Sequence, residues 1–287
     1  MTNYDVAVID IGSNSVRLLV ASKNGKDKFV KITKLAEGFN YSGKLSHIAI
    51  KRTADAVAFF KQKAQGFGCK KIYAFATAAV RGASNGSEFT DYVKGLCGLD
   101  VEVISGATEA KIGLNGVLKG ADGGIIDIGG ASSEITARIG EKTVFSHSLN
   151  LGGVRILDIC DQNLDKIRDV CSERVLEYGS VPLTQYYGIG GVATSLASVT
   201  MKLETYDRSK VHGYRLTIDD VEKAIDLFNS KTVEERKLIV GLQPERADVI
   251  LGASVLLYSI MRHIGIDSIL ISEDDNLEGY LYAKGEL

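Results

Sequence analysis

The sequence predicts an α/β protein made of two related domains that face each other across a cleft. Three observations carry this. Residues 6–20 and 124–135 are versions of one motif, an apolar run that ends in Asp-Ile-Gly and enters a small polar turn. Asp10 and Asp127 end the two runs, 117 positions apart. After each motif the same meander of strands recurs, followed by strands alternating with helices, the pattern of an internal repeat with covered sheets.

The elements follow in order. Residues 6–12 are apolar, Ser13-Asn14-Ser15 turns the chain, and 16–22 returns as a second strand. Lys23-Asn24-Gly25-Lys26 is a hairpin signal, and 28–36 alternates as a third strand. A helix over 46–66 has apolar residues at helical spacing and ends at Gly66 and Gly68. Strand 71–76, a helical turn at 78–82, helix 87–96, strand 101–104 and helix 107–118 complete the first half. The second half repeats the meander with strands 124–129, 133–139 and 143–149, the last two joined by Gly140-Glu141-Lys142. Helices at 153–160 and 164–178 precede strand 186–189, and Gly190-Gly191 opens helix 192–203. Thr217-Ile218-Asp219-Asp220 reads as a capping box for helix 218–229. A long helix at about 245–264, strand 266–271 and a last helix at about 276–285 end the chain. The boundary falls near Ala121-Asp122-Gly123. This divides the chain into domains of 1–120 and 121–287, with the last helix, about 276–287, able to pack back on the first.

Composition narrows the function classes. With 45% hydrophobic and 24% charged residues the chain reads as soluble and globular. A net charge of −2 offers no general attraction to nucleic acid or to an anionic membrane. No apolar run approaches the ~20 residues that span a bilayer, and Met1-Thr2-Asn3-Tyr4-Asp5 has no basic segment of a signal peptide. Cys69, Cys97, Cys160 and Cys171 lack Cys-x-x-Cys spacing and read as reduced thiols in a cytoplasmic protein. Neither a nucleic-acid nor a membrane partner is expected.

Three turns carry chemistry. In Asp10-Ile11-Gly12-Ser13-Asn14-Ser15, Gly12 permits a tight turn whose backbone N–H groups form an anion nest. Ser13, Asn14 and Ser15 add side-chain donors and Arg17 a guanidinium, although such a turn is equally a structural one and Arg17 equally an exposed strand residue. In the second copy, Gly129, Gly130, Ala131 and Ser132 form the turn between Asp127 and Glu134. Carboxylates beside a phosphate nest repel the substrate unless a cation lies between them, and Mg²⁺ is held in this way. Asp127, Glu134 and Asp10 are the candidate ligands, with a half-exposed surface position as the alternative for Glu134. Third, Tyr187-Gly188-Ile189-Gly190-Gly191 leads a strand into a helix N-terminus, a place that favours anions. Gly190 and Gly191 there equally allow close helix–strand packing.

In this order the three turns and the duplicated meander resemble the actin–hexokinase–Hsp70 superfamily. That resemblance implies two related actin-like (ribonuclease H-like) domains, each a mixed five-stranded sheet with flanking helices, and an active site in the interdomain cleft. Four further segments narrow it. They are Ala76-Thr77-Ala78-Ala79-Val80-Arg81, Val103-Ile104-Ser105-Gly106-Ala107-Thr108-Glu109-Ala110, Val211-His212-Gly213-Tyr214-Arg215-Leu216-Thr217 and Gly241-Leu242-Gln243-Pro244-Glu245-Arg246-Ala247-Asp248. With the opening motif, they closely resemble the exopolyphosphatase / guanosine pentaphosphate phosphohydrolase family from residue 6 to about residue 280.

The resemblance implies Mg²⁺-dependent hydrolysis of a terminal phosphoanhydride in inorganic polyphosphate or guanosine pentaphosphate, in a cytoplasmic protein and as a homodimer. It places the catalytic glutamate on Glu109, the arginine after the Thr-x-Ala-Val stretch on Arg81, and the metal-site acids on Asp127 and Glu134. The residue chemistry agrees. Glu109, at a helix start after a strand, suits a group that orients water and takes its proton, and equally suits a helix dipole. Arg81 offers a fork to two phosphoryl oxygens. His212 reads as structural. The chain departs from the family pattern in three places. Ala131 stands where the family has a third glycine, and Thr108 replaces one acid of a Glu-Glu pair. Ser272-Glu273-Asp274-Asp275-Asn276-Leu277-Glu278-Gly279 carries four acids, which repel a polyanion at a cleft mouth and mean little as a helix cap. Longer members add a helical C-terminal domain that extends a basic channel, and the given sequence ends before one, which favours a phosphatase acting on short chains or a nucleotide over a processive polyphosphatase. A non-hydrolytic polyphosphate or alarmone sensor and an ATP-dependent small-molecule kinase are the alternatives on the same fold.

Overall fold

The computed structural model describes residues 4–140 and 142–287. Glu141, in the expected 140–142 turn, and the three N-terminal residues lie outside them. The chain forms two compact units, one of residues up to Gly116 together with Asn276–Leu287, the other of Val117–Asp275.

The first unit opens with β1 (Val6–Ile11), β2 (Ser15–Ser22) and β3 (Gly25–Ile32) as an antiparallel meander. Every residue of β1 is buried, as befits a central strand covered on both faces. The expected third strand runs shorter than 28–36 because the chain leaves the sheet after Ile32. The N–H groups of Thr33 and Lys34 donate to Asn14 O instead, each at 2.9 Å. After α1 (Phe39–Ser42) comes α2 (His47–Gly66), capped by the Ser46 side chain and burying Ala49, Ile50, Ala54, Val57, Phe60 and Ala64. Then follow β4 (Lys71–Ala76), α3 (Ala78–Gly82), α4 (Gly86–Cys97), β5 (Glu102–Val103) and α5 (Gly106–Leu118). β4 lies parallel to β1, and the five strands are ordered β3-β2-β1-β4-β5.

The second unit repeats this plan. β6 (Gly123–Ile128), β7 (Ser133–Ile139) and β8 (Lys142–Leu149) form the second meander. α6 (Gly153–Cys160) and α7 (Leu164–Arg174) lead to β9 (Tyr186–Ile189), which lies parallel to β6. The expected 164–178 helix ends at Arg174 and tightens into a 3₁₀ turn over Val175–Tyr178. α8 (Gly190–Thr200) starts at the glycine pair itself. Next come α9 (Arg208–Val211), β10 (Arg215–Thr217), α10 (Ile218–Asn229), α11 (Val233–Arg236), α12 (Ile250–Ile264) and β11 (Ser268–Ile271). The capping box of Thr217 and Asp220 is formed. The long helix expected from 245 begins as a separate 3₁₀ turn at Pro244–Arg246.

This sheet has six strands, not five, in the order β10-β11-β9-β6-β7-β8. The added strand is β10, antiparallel to β11. Three residues show no alternation, and Thr217 serves as both its last residue and the helix cap. The core of this unit gathers Ile126, Ile135, Leu149, Tyr186, Leu196, Phe228, Leu256 and Ile269.

α13 (Asn276–Ala283) belongs to the first unit. Leu277, Tyr280 and Leu281 join Val6, Val8, Leu19, Phe75, Ile104 and Ile112 in one core cluster. Tyr280 stacks on Phe75 with ring centroids 4.8 Å apart and donates to Glu102 Oε2 at 2.7 Å. On the same helix Glu278, with its side chain 1% exposed, meets Lys26 at 2.9 Å and Lys28 at 2.8 Å. A buried carboxylate is held by such partners, and removing it leaves two partly buried ammonium groups. Glu278→Ala is therefore expected to lower unfolding stability by about 1–3 kcal/mol, read as an earlier urea midpoint at unchanged slope.

Candidate active site

The two Asp-Ile-Gly turns, one in each unit, have the same internal hydrogen bond. Gly12 N donates to Ser15 O at 2.9 Å, and Gly129 N donates to Ser132 O at 2.9 Å. Each turn is braced from behind through its carbonyls. Ser13 O and Asn14 O accept from the 33–36 segment. Gly129 O accepts from Gly153 N at 2.9 Å, while Gly130 O accepts from Val154 N at 2.9 Å and Arg155 N at 3.1 Å. With the carbonyls so engaged, the N–H groups of Ser13, Asn14, Gly130 and Ala131 donate to no group among the described residues. Clustered backbone donors of this kind form an anion nest. Asn14 Oδ1 is also buried with no hydrogen-bond partner among the described residues. Ala131 is 5% exposed, and its methyl group sits within the second turn.

The charges beside the turns differ. Asp10 pairs across β1 and β2 with Arg17, whereas Asp127 pairs across β6 and β7 with Glu134. Asp10 is 3% exposed, and its Oδ2 accepts from both Nε, at 3.0 Å, and Nη2 of Arg17. The residues expected as a metal ligand and a phosphate ligand thus hold each other. Glu134 Oε1 accepts from Ser148 Oγ at 2.7 Å. Among the described residues no group of three or more His, Cys, Asp or Glu could hold a metal ion. Two carboxylates fit Mg²⁺, which completes its shell with water and phosphate oxygens.

Arg81 and Glu109, expected as catalytic, are brought together in the first unit. Arg81 lies in the last turn of α3, and its Nη1 donates to Ile104 O at 2.9 Å and to Glu109 Oε2 at 3.0 Å. Glu109 lies in the first turn of α5 and its N–H donates to Ser105 O at 2.9 Å, so the helix start presents the carboxylate. Arg81 Nη1 thus ties the carboxylate to Ile104, one residue past β5.

The third turn gathers around Asp127. Gly190 has φ +75°, and a Cβ there would lie 2.6 Å from Asp127 Oδ1. Arg246 lies against Gly191 so closely that a side chain at 191 would displace its guanidinium, and its Nε donates to Gln243 Oε1 at 2.9 Å. Arg246 brings a cation to this turn. Its signal was present in the Pro-Glu-Arg-Ala segment, but only tertiary packing places it beside Gly191. The Gly152-Gly153 brace behind Ala131 also escaped the motif reading.

Three of the four acids of the 272–279 segment, Glu273, Asp274 and Glu278, meet cations within the fold. Glu273 meets Arg208 at 2.9 Å and accepts from the Tyr206 hydroxyl. Asp274 meets Lys119 at 3.1 Å and Arg208 at 3.3 Å. His212 Nδ1 accepts from Glu273 N at 3.1 Å, a structural role. Burial pushes the Tyr206 hydroxyl well above its ordinary range, which keeps it a donor to Glu273.

The fold and these turns define an α/β protein of two repeated halves, each with a glycine-containing turn of unengaged backbone N–H groups after its central strand. The chain belongs to the Ppx/GppA phosphatase family, whose model matches residues 8–286. It is 32% identical to the bifunctional 3-dehydroquinate synthase/phosphatase of Fusobacterium nucleatum subsp. nucleatum over 96% of its own length, and spans 46% of the length of that protein. It is 29% identical to exopolyphosphatase 2 of Mycobacterium tuberculosis, with 96% of each chain covered. A crystal structure of the Aquifex aeolicus Ppx/GppA family member superposes with a TM-score of 0.78 at 28% identity, covering 98% of this chain and 97% of that one. Among the described residues no helix is long and apolar enough to cross a membrane.

Proposed function

We propose that this protein hydrolyses terminal phosphoanhydride bonds, with inorganic polyphosphate as its first substrate and guanosine pentaphosphate as its second. The observation that carries the reading is the pair of matched turns in which the N–H groups of Ser13, Asn14, Gly130 and Ala131 have no acceptor among the described residues. An exopolyphosphatase relative that matches 96% of the chain supports the same chemistry. Phosphoryl transfer needs positioning and charge neutralisation more than covalent help. Gly12, Ser13, Asn14 and Ser15 bind phosphate oxygens at one turn, and Gly129, Gly130, Ala131 and Ser132 at the other. Glu109 orients a water molecule and takes its proton as the water oxygen bonds to the terminal phosphorus. The bridging P–O bond breaks, and the shortened chain leaves with the electron pair. Arg81 keeps Glu109 in place through Nη1 and offers its remaining N–H groups to phosphoryl oxygens. Asp127 and Glu134 would hold Mg²⁺, which supplies neutralising charge for the phosphoryl oxygens when bound.

The test is phosphate release with Mg²⁺ from polyphosphates of several lengths, guanosine pentaphosphate and ATP. Release from polyphosphate, lost in EDTA, is the expected result. Tight polyphosphate binding without turnover would assign the protein to sensing. ATP consumption dependent on a small-molecule acceptor would assign it to the kinases.

A further inference from the structure

The carbonyls behind the two turns are held by elements of different stiffness. Gly129 O and Gly130 O accept from Gly153, Val154 and Arg155, the first N–H groups of the regular helix α6. Ser13 O and Asn14 O accept from Thr33, Lys34 and Ala36, in a segment without regular structure. Lys34 there has φ +48°, a left-handed conformation that residues with a side chain seldom adopt and that costs free energy to hold. Arg52 supplies the support that the segment lacks. It stands on α2, which is fixed in the core by Ala49, Ile50, Ala54 and Val57. Its Nε donates to Thr33 O, and its Nη2 donates to Lys34 O at 3.0 Å. The Thr33–Lys34 peptide group is thus engaged on both edges, its oxygen by the guanidinium and its N–H by Asn14 O at 2.9 Å. A charged donor on the oxygen polarises the peptide and strengthens its N–H bond to Asn14.

We infer that Arg52 is a positioning residue for phosphate at the 12–15 turn, acting through the Thr33–Ala36 segment that it clamps. The Ser13 carbonyl and the Asn14 N–H belong to one planar peptide group, so holding the oxygen aims the donor. Ala36 N holds that oxygen at 2.9 Å, and the Asn14 N–H has no acceptor among the described residues. The inference rests on the 12–15 turn as the phosphate-binding turn proposed above. Glu37, which meets Arg52 at 3.0 Å, forms an exposed ion pair and adds little.

The experiment measures KM and kcat for inorganic polyphosphate on the full chain. Arg52→Ala is expected to raise KM about tenfold and leave kcat within about twofold of the parent, the mark of lost uniform binding. Millimolar guanidinium chloride is expected to restore KM, where sodium chloride at equal ionic strength does not. Glu37→Gln is expected to keep the parent KM. A folded Arg52→Ala variant with the parent KM, or one whose KM guanidinium leaves unmoved, overturns the inference. Arg52→Lys keeps the charge but cannot fork over two carbonyls, and its KM is expected between those of the parent and Arg52→Ala. If Arg52→Ala does not fold, an Arg52→Lys variant with the parent KM overturns the inference. A parent that hydrolyses no polyphosphate rejects the hydrolase reading, and calorimetric binding of polyphosphate then decides this one. Binding weakened in Arg52→Ala and restored by guanidinium retains it. Equal binding by the two proteins, or none by the parent, overturns it.

Discussion

Glu109→Gln is expected to slow phosphate release by about 10²–10⁴-fold, the usual worth of a positioned general base. The amide keeps an oxygen to accept from Arg81 Nη1, whose bond to Glu109 is 3.0 Å long, so the anchoring of the side chain survives. What is lost is the ability to take a proton from water. The loss should therefore fall on kcat with KM little changed. Were Glu109 only a first-turn acid suited to the helix dipole, the substitution would cost about 0.3–1 kcal/mol of stability and leave turnover intact. Steady-state phosphate release and a urea titration on the same sample separate the two roles. A kcat equal to that of the parent would remove Glu109 from its assigned part.

The second large effect concerns neighbouring glycines that read alike in the sequence. A Cβ on Gly152 would lie 2.5 Å from Gly129 O and 2.7 Å from Gly130 C, both backbone atoms of the second turn. A Cβ on Gly153 would meet Ala253 Cβ and Val249 Cβ at 3.4 Å each, an ordinary contact. Gly152→Ala must push the turn away from α6. A displacement of about 1 Å in a positioned site is enough for roughly a 10²-fold loss. Gly153→Ala is expected to keep most of the parent activity. Phosphate release by the two variants, with circular dichroism confirming both are folded, checks the contrast. Equal activities would show that the brace behind Ala131 does not set the turn.

Much of the fold was legible because its signals are local. The central strands β1 and β6 are apolar runs, and the Asn24-Gly25 hairpin and the Thr217 cap are written in adjacent residues. The turns were legible for the same reason, since glycine and serine after an Asp-ended strand leave few other backbone solutions. β10 was missed because its strand character comes only from the edge that β11 offers. The early end of β3 was missed because Thr33 and Lys34 are claimed by Asn14, a partner nineteen and twenty residues away.

The sequence alone determined the repeat, the strand-then-turn placement of Asp10 and Asp127, and the candidate acids and arginines. Patterns of spacing and residue type carry that information along the chain. Only the tertiary structure decided which charges meet. Arg17 lies against Asp10, Glu134 opposite Asp127, Arg81 on Glu109, and Arg246 over Gly191. It also decided that Glu273 and Asp274, just before α13, pair with Arg208 and Lys119, and that Glu278 on α13 pairs with Lys26 and Lys28. The physical reason is that a charge takes its meaning from its neighbours within a few ångströms. Strand register and helix packing choose those neighbours from residues far apart in the chain.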